Sequence, residues 1–390
     1  MTSTAYRVAE SPEALGLDSS KVALLLQRVE RDVKEGVLPN AQVALGRNGQ
    51  LAAFQTFGRV KHGPEEVPAR DDTLFCLFSC TKAITSVLAW QLIEQGKLDV
   101  RMRVAELVPE LAQSAVGAIT VEQLLIHTAG FPSAPFNPVD FSDREKRLAR
   151  FASWRLNWEP GTRFEYHPSS SMYVVAEILE RLTGVAYPQL VRARIAEPLG
   201  LPDLWVGLPS ELNRRVADIE HVGAEPTDAE YAAIGMKRPP TTEVTESALS
   251  NFNLPEVRAA GIPGGGVIAR AADFALLLQS LDKLCKPETI RMGCEVRTGD
   301  LVDALAGGKR ANRGLGLQIA GDEDRTYRGF GKTNSPLAYG HSGAGGQIAW
   351  FDPATGISLG YCTSGHDRNA LRRGRRSVAI SSLAASCSVA

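Results

Sequence analysis

The chain has 390 residues, of which 44% are apolar and 22% are charged, and its formal net charge at pH 7 is -1. This length and composition predict a soluble globular protein with two lobes or one large elaborated domain. The small net charge gives no reason to expect nucleic acid or an anionic membrane as a partner, and no stretch approaches the ~18 apolar residues of a membrane span.

Cysteine usage and the N-terminal residues bear on the cellular compartment. The six cysteines form no CxxC pair, and residues 1–20 show no basic segment followed by an apolar run. We therefore expect a cytoplasmic protein with reduced thiols. No His, Asp or Glu cluster has metal-ligand spacing, so neither a metal nor another cofactor is predicted.

The first third of the chain predicts a helix followed by a β-hairpin. Apolar residues recur at helical spacing over 19–35. Two strand-like segments, 41–47 and 50–56, then flank Asn48-Gly49, which is the strongest local signal for a two-residue hairpin turn.

A second helix is predicted from Ser79 to Gln95, with Gly96 as its left-handed stop. Ser79 would lie in the first turn, where free N–H groups favour developing negative charge. Lys82 follows three residues later, about 5–6 Å away at Cβ on a helix, so its amine can reach the Ser79 hydroxyl. This arrangement can activate an alcohol as a nucleophile. The side chain of Cys80 should point about 100° away, which argues against a catalytic thiol.

The same S-x-x-K spacing occurs a second time, at Ser280 and Lys283. There it falls at the end of a predicted helix, where the helix dipole has the wrong sign. We interpret the second copy as chance.

The middle of the chain reads as mainly helical. A capping box at Thr120–Gln123 opens a short helix that Gly130 is expected to close, and a longer helix over 169–182 stops at Gly184. Residues 200–261 are rich in Pro, Glu and Thr and predict long loops, which in compact domains are usually binding elements or lids.

The C-terminal part returns to strands. Gly264-Gly265-Gly266 precedes a helix near Ala271, strands are predicted over 314–319, 346–351 and 357–363, and a terminal helix over 368–384. Residues 1–75 and 262–390 would then build one antiparallel sheet domain. Residues 76–261 would form a mainly helical domain inserted between them. Within the terminal helix, the basic cluster over 372–376 is expected to be solvated surface.

Five motifs occur in one order, and together they resemble a known family. They are Ser79-x-x-Lys82, Leu124-Leu125-Ile126-His127-Thr128-Ala129-Gly130, Glu159-Pro160-Gly161-Thr162-Arg163-Phe164-Glu165-Tyr166, Gly264-Gly265-Gly266 and Gly340-His341-Ser342-Gly343-Ala344-Gly345-Gly346. Their order and spacing resemble class C β-lactamases, penicillin-binding proteins and, most closely, family VIII carboxylesterases, over about residues 20–365. The resemblance implies an α+β, β-lactamase/transpeptidase-like fold: an antiparallel sheet flanked by helices, plus the inserted helical domain.

The resemblance also implies roles for individual residues. Ser79 would be the nucleophile, Lys82 its proton partner and Tyr166 the general base. His341-Ser342-Gly343 would stand where the family has K-T-G and bind substrate. The backbone N–H groups of Ser79 and Ala344 would form the oxyanion hole.

The proton chemistry leaves one question open. Lysine and tyrosine have ordinary pKa values near 10.4 and about 10, so neither is a base at pH 7 unless its surroundings change it. A cationic Lys82 close to Tyr166 would lower the phenol pKa. Whether Lys82 or Tyr166 accepts the Ser79 proton is not decided by the sequence.

Two departures from the family pattern bear on the substrate. Pro168 stands where β-lactamases carry the asparagine of Y-x-N, so no side-chain amide is available for a β-lactam acylamide. His341 replaces the lysine of K-T-G and is largely neutral at pH 7, so the cation that pairs with the drug's carboxylate is missing. Both changes favour a neutral ester.

Other histidines near these motifs have more than one interpretation. His127 is expected to be structural. His167 either tunes the site or is an exposed spectator. Tyr166 itself is either the base or a packed core tyrosine, and its position among the other motifs favours the base.

The sequence thus predicts a serine carboxylesterase that cleaves short- to medium-chain esters, with a small-molecule ester as its partner. One alternative is a different acyl transfer on the same fold: a β-lactamase, an amide or D-peptide hydrolase, or an acyltransferase. A second alternative is a non-catalytic, penicillin-sensor-like binding protein that is acylated without turnover.

Overall fold

A computed structural model of the chain describes Tyr6, residues 8–238 and residues 244–389. Residues 239–243 of the predicted loop region and residues 1–5, 7 and 390 of the predicted sheet domain lie outside the described part. The strands are β1 (Asn40–Arg47), β2 (Gln50–His62), β3 (Glu65–Pro68), β4 (Phe75–Cys76), β5 (Trp205–Val206), β6 (Glu220–Val222), β7 (Val267–Ala269), β8 (Val302–Asp303), β9 (Lys309–Arg310), β10 (Gln318–Ile319), β11 (Tyr339–Ser342), β12 (Ile348–Asp352), β13 (Ile357–Cys362) and β14 (Gly365–Asp367).

Helices occupy most of the middle of the chain and both flanks of the sheet. They are α1 (Ser19–Lys34), α2 (Thr81–Glu94), α3 (Val104–Leu107), α4 (Val121–Leu125), α5 (Arg144–Ser153), α6 (Ser170–Thr183), α7 (Tyr187–Val191), α8 (Asp228–Ala232), α9 (Glu246–Ser250), α10 (Pro255–Ala259), α11 (Ala271–Gln279), α12 (Pro287–Cys294) and α13 (Ala370–Ala385).

The main sheet is antiparallel and draws its strands from both ends of the chain. Its order is β10-β11-β12-β13-β1-β2-β3, and β1 pairs with β13 over Gln42–Arg47. The β1–β2 hairpin turns at Asn48 and Gly49, whose φ angles of 54° and 75° suit the left-handed two-residue turn that the sequence predicts. The predicted antiparallel sheet flanked by helices is therefore confirmed.

Alternation along β1 explains how the sheet is covered on both faces. Val43 and Leu45 belong to the apolar cluster under α1 and α13, whereas Ala44 joins the larger cluster that contains α2 and α11. Because side chains of a strand point alternately to opposite faces, one strand contributes to both cores. The sheet is buried on both sides at its central strands β1 and β13, and one of its faces packs in the same apolar cluster as the helix that begins just after Ser79.

The C-terminal basic cluster differs from its prediction as solvated surface. Arg376 is buried and donates to Asp32 Oδ2 at 2.7 Å and to Asp367 Oδ2 at 2.8 Å, and Arg372 also pairs with Asp367. These ion pairs join α13 to α1 and to β14. The paired carboxylates offset the free-energy cost of removing these charges from water. Arg372 and Arg376 are therefore structural.

The region predicted as long loops contains regular structure. β5 pairs with β7, β6 pairs in parallel with β14, and α8, α9 and α10 lie between 228 and 259. Each of these elements is only two to five residues long, too short to show a periodic pattern in the sequence. They hold the segment 244–252 against the cleft beside Ser79.

Candidate active site

Ser79 lies in a tight turn between β4 and α2. The Leu77 N–H donates to Val267 O at 3.0 Å, and the Thr81 N–H donates to Phe78 O at 2.9 Å. Phe78 has a φ of 45°, a left-handed conformation that is strained for an aromatic residue. The predicted start of the helix at Ser79 is therefore wrong by two residues: α2 begins at Thr81, and Ser79 precedes it.

Lys82, in the first turn of α2, nevertheless lies close to Ser79. Its Nζ is 3.4 Å from Ser79 Oγ, 2.5 Å from Pro168 O and 2.7 Å from Gly264 O. The side chain is fully buried. Three acceptors around the nitrogen match the three N–H groups of an ammonium, so the surroundings of Lys82 are suited to its cationic form.

Tyr166 lies beside Ser79 and Lys82, as the sequence predicted for the three candidate catalytic residues. Lys82 Nζ lies 5.0 Å from the centroid of its ring, and its hydroxyl oxygen is buried next to Ser79 without the geometry of a regular hydrogen bond. Burial raises the pKa of Tyr166 to about 12, although the charge of Arg313 and the Ser79 hydroxyl both lower it. The expectation that a nearby lysine sets a lowered phenol pKa is therefore wrong, because desolvation outweighs the charges.

Two buried histidines hold the Tyr166 segment in place. The His127 ring lies 4.7 Å from the Tyr166 ring, and its Nδ1 accepts the His167 N–H at 3.3 Å. His167 Nε2 accepts the Phe131 N–H at 3.1 Å, which leaves Nδ1 to donate to Glu165 O at 2.7 Å. The structural interpretation of His127 agrees with these contacts. The exposed-spectator alternative for His167 is wrong, because its side chain is fully buried.

The strand segment 341–344 faces this group across the cleft. His341 and Ser342 end β11, and the Cys80 Sγ donates to His341 O at 3.3 Å. The buried Cys80 thiol thus packs against the strand and away from the cleft. The Ser342 N–H and hydroxyl both donate to Gln318 Oε1, at 3.2 and 3.4 Å.

Arg313 is a site residue that the sequence interpretation missed. Its Nη1 donates to His341 Nε2 at 3.3 Å, and its guanidinium carbon lies 5.2 Å from the centroid of the Tyr166 ring. Burial, followed by the charges of Arg313 and Lys82, holds the pKa of His341 well below its ordinary value, so His341 is neutral as expected. The inference that the site lacks a cation on this side is wrong, since Arg313 supplies one from the loop before β10.

Two cavities meet at Ser79. The polar cavity has a volume of about 620 Å³ and is lined by Tyr166, Arg313 and His341 together with other charged side chains: Arg163, Glu165, Asp303 and Arg373. The apolar cavity has a volume of about 340 Å³ and contains none of these groups. Ser79 and Ala344 line both cavities, so a substrate carbonyl at Ser79 can extend one half into each.

A family model describes nearly all of this arrangement. The Beta-lactamase model matches residues 25–383, which include Ser79, Tyr166 and the 341–344 segment. The chain belongs to the beta-lactamase family.

Relatives within the beta-lactamase family carry different activities in their names. Esterase EstB of Burkholderia gladioli is 29% identical over 212 residues, which cover 49% of this chain and 53% of EstB. A putative D-alanyl-D-alanine carboxypeptidase of Escherichia coli is 24% identical over an alignment that covers 90% of this chain and 83% of that protein. The match to EstB thus spans about half of that esterase.

Solved structures of the beta-lactamase family superpose over most of the chain. A penicillin-binding protein homologue from Caulobacter crescentus gives a TM-score of 0.75 at 28% identity, and a family VIII carboxylesterase gives 0.74 at 26%. Each alignment covers 95% of this chain and 99% of the other. The predicted family resemblance is confirmed. Among the described residues, no helix is both long and apolar enough to traverse a lipid bilayer.

Glycine at position 343 is required by the beta-lactamase-type cleft. A Cβ at this position would lie 2.6 Å from Leu77 O, the carbonyl just before the Ser79 turn, and 2.6 Å from Gln347 Oε1. We expect Gly343→Ala to push β11 away from Ser79 and to lower kcat/KM by about 10²-fold, because misplacement by ~1 Å costs that much.

The matched control for this substitution is Gly374→Ala, where the added Cβ meets nothing within 4 Å. Steady-state kinetics of both variants, with melting temperatures measured alongside, check the prediction. A Gly343→Ala variant with wild-type kcat/KM would contradict the close approach of the strand.

The buried histidines predict a loss of stability in mild acid. Burial lowers the pKa of His167 to about 4 from an ordinary value of 6.5. Between these values the unfolded chain binds the proton that the folded state excludes. The contribution of His167 to the free energy of unfolding is therefore fully present above pH 6.5. It is lost as the pH falls toward 4, at about 1.4 kcal/mol per pH unit.

Urea unfolding between pH 7 and 4.5 measures this loss. The variant His167→Gln keeps a side-chain acceptor for the Phe131 N–H but cannot titrate, so its free energy of unfolding should fall less steeply with pH. The variant His62→Gln, at a half-buried position on β2, is the control. Equal pH slopes for the wild type and His167→Gln would count against the assignment.

Proposed function

We propose that the protein is a serine hydrolase that cleaves short- to medium-chain carboxylic esters through an acyl-enzyme on Ser79. The observation that supports this most directly is the apolar cavity, which opens beside the Ser79 hydroxyl and has room for an acyl chain but no charged wall. Esterase relatives support the same activity class.

The proposed reaction has two steps. The reaction requires the Lys82–Tyr166 pair with one proton removed. Ser79 Oγ attacks the ester carbonyl as this deprotonated pair accepts the Ser79 proton, and the C–O bond to the alcohol breaks as Tyr166 returns that proton to the leaving oxygen. Water then attacks the acyl-enzyme and releases the acid. The backbone N–H groups of Ser79 and Ala344 would bind the oxyanion. Each such donor typically raises the rate by roughly 10²–10³-fold.

Lys82 and Tyr166 act as a unit in this proposal. The Lys82 ammonium lies against the ring of Tyr166, so it offsets the negative charge that the phenol oxygen develops as a proton leaves it. The Ser79–Lys82 distance of 3.4 Å is long for a strong hydrogen bond and would shorten when substrate is bound.

Ester cleavage is favoured over β-lactam hydrolysis because Pro168, at the edge of both cavities, offers no side-chain amide to an acylamide. Parallel assays with 4-nitrophenyl butyrate and nitrocefin test the choice. We expect faster turnover of the ester. Faster turnover of nitrocefin would favour a β-lactamase, and a burst of one equivalent without turnover would favour a sensor.

A cytoplasmic location and a small-molecule ester partner stay predictions.

A further inference from the structure

The turn between β11 and β12 carries one of the two N–H groups that the proposed reaction uses as its oxyanion hole. Resting on that proposed function, we propose that Gln347 is a positioning residue. Its buried side-chain amide holds the turn in the conformation that presents the Ala344 N–H to the oxyanion. Gln347 acts on the reaction through the backbone and does not touch the substrate.

The turn has few side chains of its own to hold it. Three of the four residues from Gly343 to Gly346 are glycine, and glycine loses more conformational freedom on folding than any other residue. Among the hydrogen bonds of the described residues, the Ala344 N–H has no protein acceptor. An oxyanion donor is effective only when it is fixed before the reaction begins, so this turn needs a contact that orders it.

Gln347 holds the peptide groups on both sides of the one that carries the Ala344 N–H. Its backbone oxygen accepts the Gly343 N–H at 2.9 Å, and its side-chain Oε1 accepts the Gly345 N–H at 3.0 Å. Because each peptide group is planar, fixing these two neighbours leaves little freedom for the peptide between them. The orientation of the Ala344 N–H therefore depends on the Gln347 amide.

The other end of the Gln347 amide is attached to the centre of the main sheet. Its Nε2 donates at 2.9 Å to the backbone oxygen of Thr363, which follows β13. The Thr363 hydroxyl in turn donates to Asn40 O at 2.8 Å and accepts the Gly365 N–H at 3.0 Å. Gln347, Thr363 and Asn40 are all buried. A buried polar network whose members are paired is rigid, so the turn is held by the strands β1 and β13.

Gln347 also fills the space next to the glycines of the turn. An added Cβ would lie 2.6 Å from its Oε1 at Gly343 and 2.7 Å from its Nε2 at Gly345. The side chain lines neither of the two cavities that meet at Ser79. Its effect on the reaction must therefore pass through the turn.

Replacing Gln347 by methionine tests this role, because methionine has a similar length but cannot make the two amide hydrogen bonds. With 4-nitrophenyl butyrate we expect kcat to fall by about 10²-fold, as for a catalytic group displaced by ~1 Å. KM should change little, because both steps of the proposed reaction form an oxyanion and are slowed together.

Butaneboronic acid gives a readout that a loss of stability alone does not change. Its adduct with the Ser79 oxygen is a tetrahedral anion that resembles the transition state, and transition-state analogues lose affinity when transition-state contacts are lost. Its inhibition constant should therefore rise in Gln347→Met by about the same factor as kcat/KM falls.

Gln42→Met is the matched control. Gln42 is also a fully buried glutamine with partners on both sides: its Oε1 accepts the Ala271 N–H at 2.8 Å, and its Nε2 donates to Thr56 Oγ1 at 3.1 Å. Its melting temperature should fall, whereas kcat and the boronate inhibition constant should stay at their wild-type values.

Gly345→Ala disturbs the same contact from the other side, and it decides the matter if Gln347→Met does not fold. The φ of Gly345 lies outside the left-handed range, so its backbone accepts alanine, while the added Cβ would displace the Gln347 amide. We expect the same lower kcat, little-changed KM and raised inhibition constant. Gly374→Ala is again the control. Wild-type values in Gly345→Ala would contradict the role of Gln347.

The two proposals fail in different ways. Equal kcat in Gln347→Met and Gln42→Met, or a lower kcat with an unchanged boronate inhibition constant, would overturn the inference while leaving ester hydrolysis intact. Failure of the wild type to hydrolyse the ester through Ser79 would overturn the proposed function and the inference with it.

Discussion

Replacing Ser79 by alanine is expected to lower kcat/KM for 4-nitrophenyl butyrate by about 10⁴-fold or more, as for the loss of other catalytic serines. The Lys82 amine lies 3.4 Å from the Ser79 hydroxyl that the substitution removes. The variant should also lose covalent labelling by an alkyl phosphonate, measured by intact mass.

The chain supplies its own matched control in Ser280, the first residue of the second S-x-x-K. Ser280 follows the last turn of α11, away from both cavities. Ser280→Ala should keep wild-type kcat/KM and the phosphonate adduct. An adduct that survives in Ser79→Ala would disprove the nucleophile assignment.

Replacing Tyr166 by phenylalanine is expected to lower kcat by about 10²–10⁴-fold, the usual contribution of a general acid–base group, with a much smaller change in KM. The ring contacts with His127, Lys82 and Arg313 are kept, so the variant removes only the proton-transfer oxygen. Tyr361→Phe, in the core on the far face of the sheet, is the control.

The pH profile adds a second measure of the Tyr166 assignment. Because burial raises the pKa of Tyr166 to about 12, the phenol is protonated at rest across pH 6–9. The reaction needs the Lys82–Tyr166 pair with one proton removed, so the wild-type kcat/KM should rise with pH through that range. A loss of less than tenfold in Tyr166→Phe would move the proton transfer to Lys82.

Local signals in the sequence predicted the elements next to Ser79 and Lys82. The Asn48-Gly49 turn and the stops at Gly96 and Gly184 depend on backbone conformations that neighbouring residues dictate. Hence the hairpin turn, α2 and α6 are predicted with errors of one or two residues at their ends, whereas β2 continues to His62, six residues beyond its predicted end. The Ser79–Lys82 proximity follows from a spacing of three residues near a helix start.

Elements that depend on distant contacts were predicted less well. The strand expected over 314–319 shrinks to Gln318–Ile319, because the chain passes close to α2. A Cβ at Gly316 would lie 1.7 Å from Ser86 Oγ, and Gly316 itself has a φ of 88°. Likewise α4 ends at Leu125, well before Gly130, since His127 adopts the left-handed conformation first.

Arg313 was missed for a related reason. It belongs to no short motif, and its place beside His341 results from the pairing of β10 with β11 and from burial among Phe164 and Tyr166. A single arginine in a loop carries no signal of such a position. The sequence therefore predicted the residues that gather around Ser79 and missed the cation that lies beside His341 and Tyr166.

The pairing of β1 with β13 has a consequence for biosynthesis. Tyr361 lies opposite Val43, and the Asp18 N–H donates to Cys387 O at 2.8 Å. A nascent chain therefore exposes the unpaired edge of β1 and the apolar faces of the β1–β2 hairpin until β13 has been synthesised. Such late closure slows folding and leaves time for aggregation, so removing even the final helix should send the polypeptide to inclusion bodies.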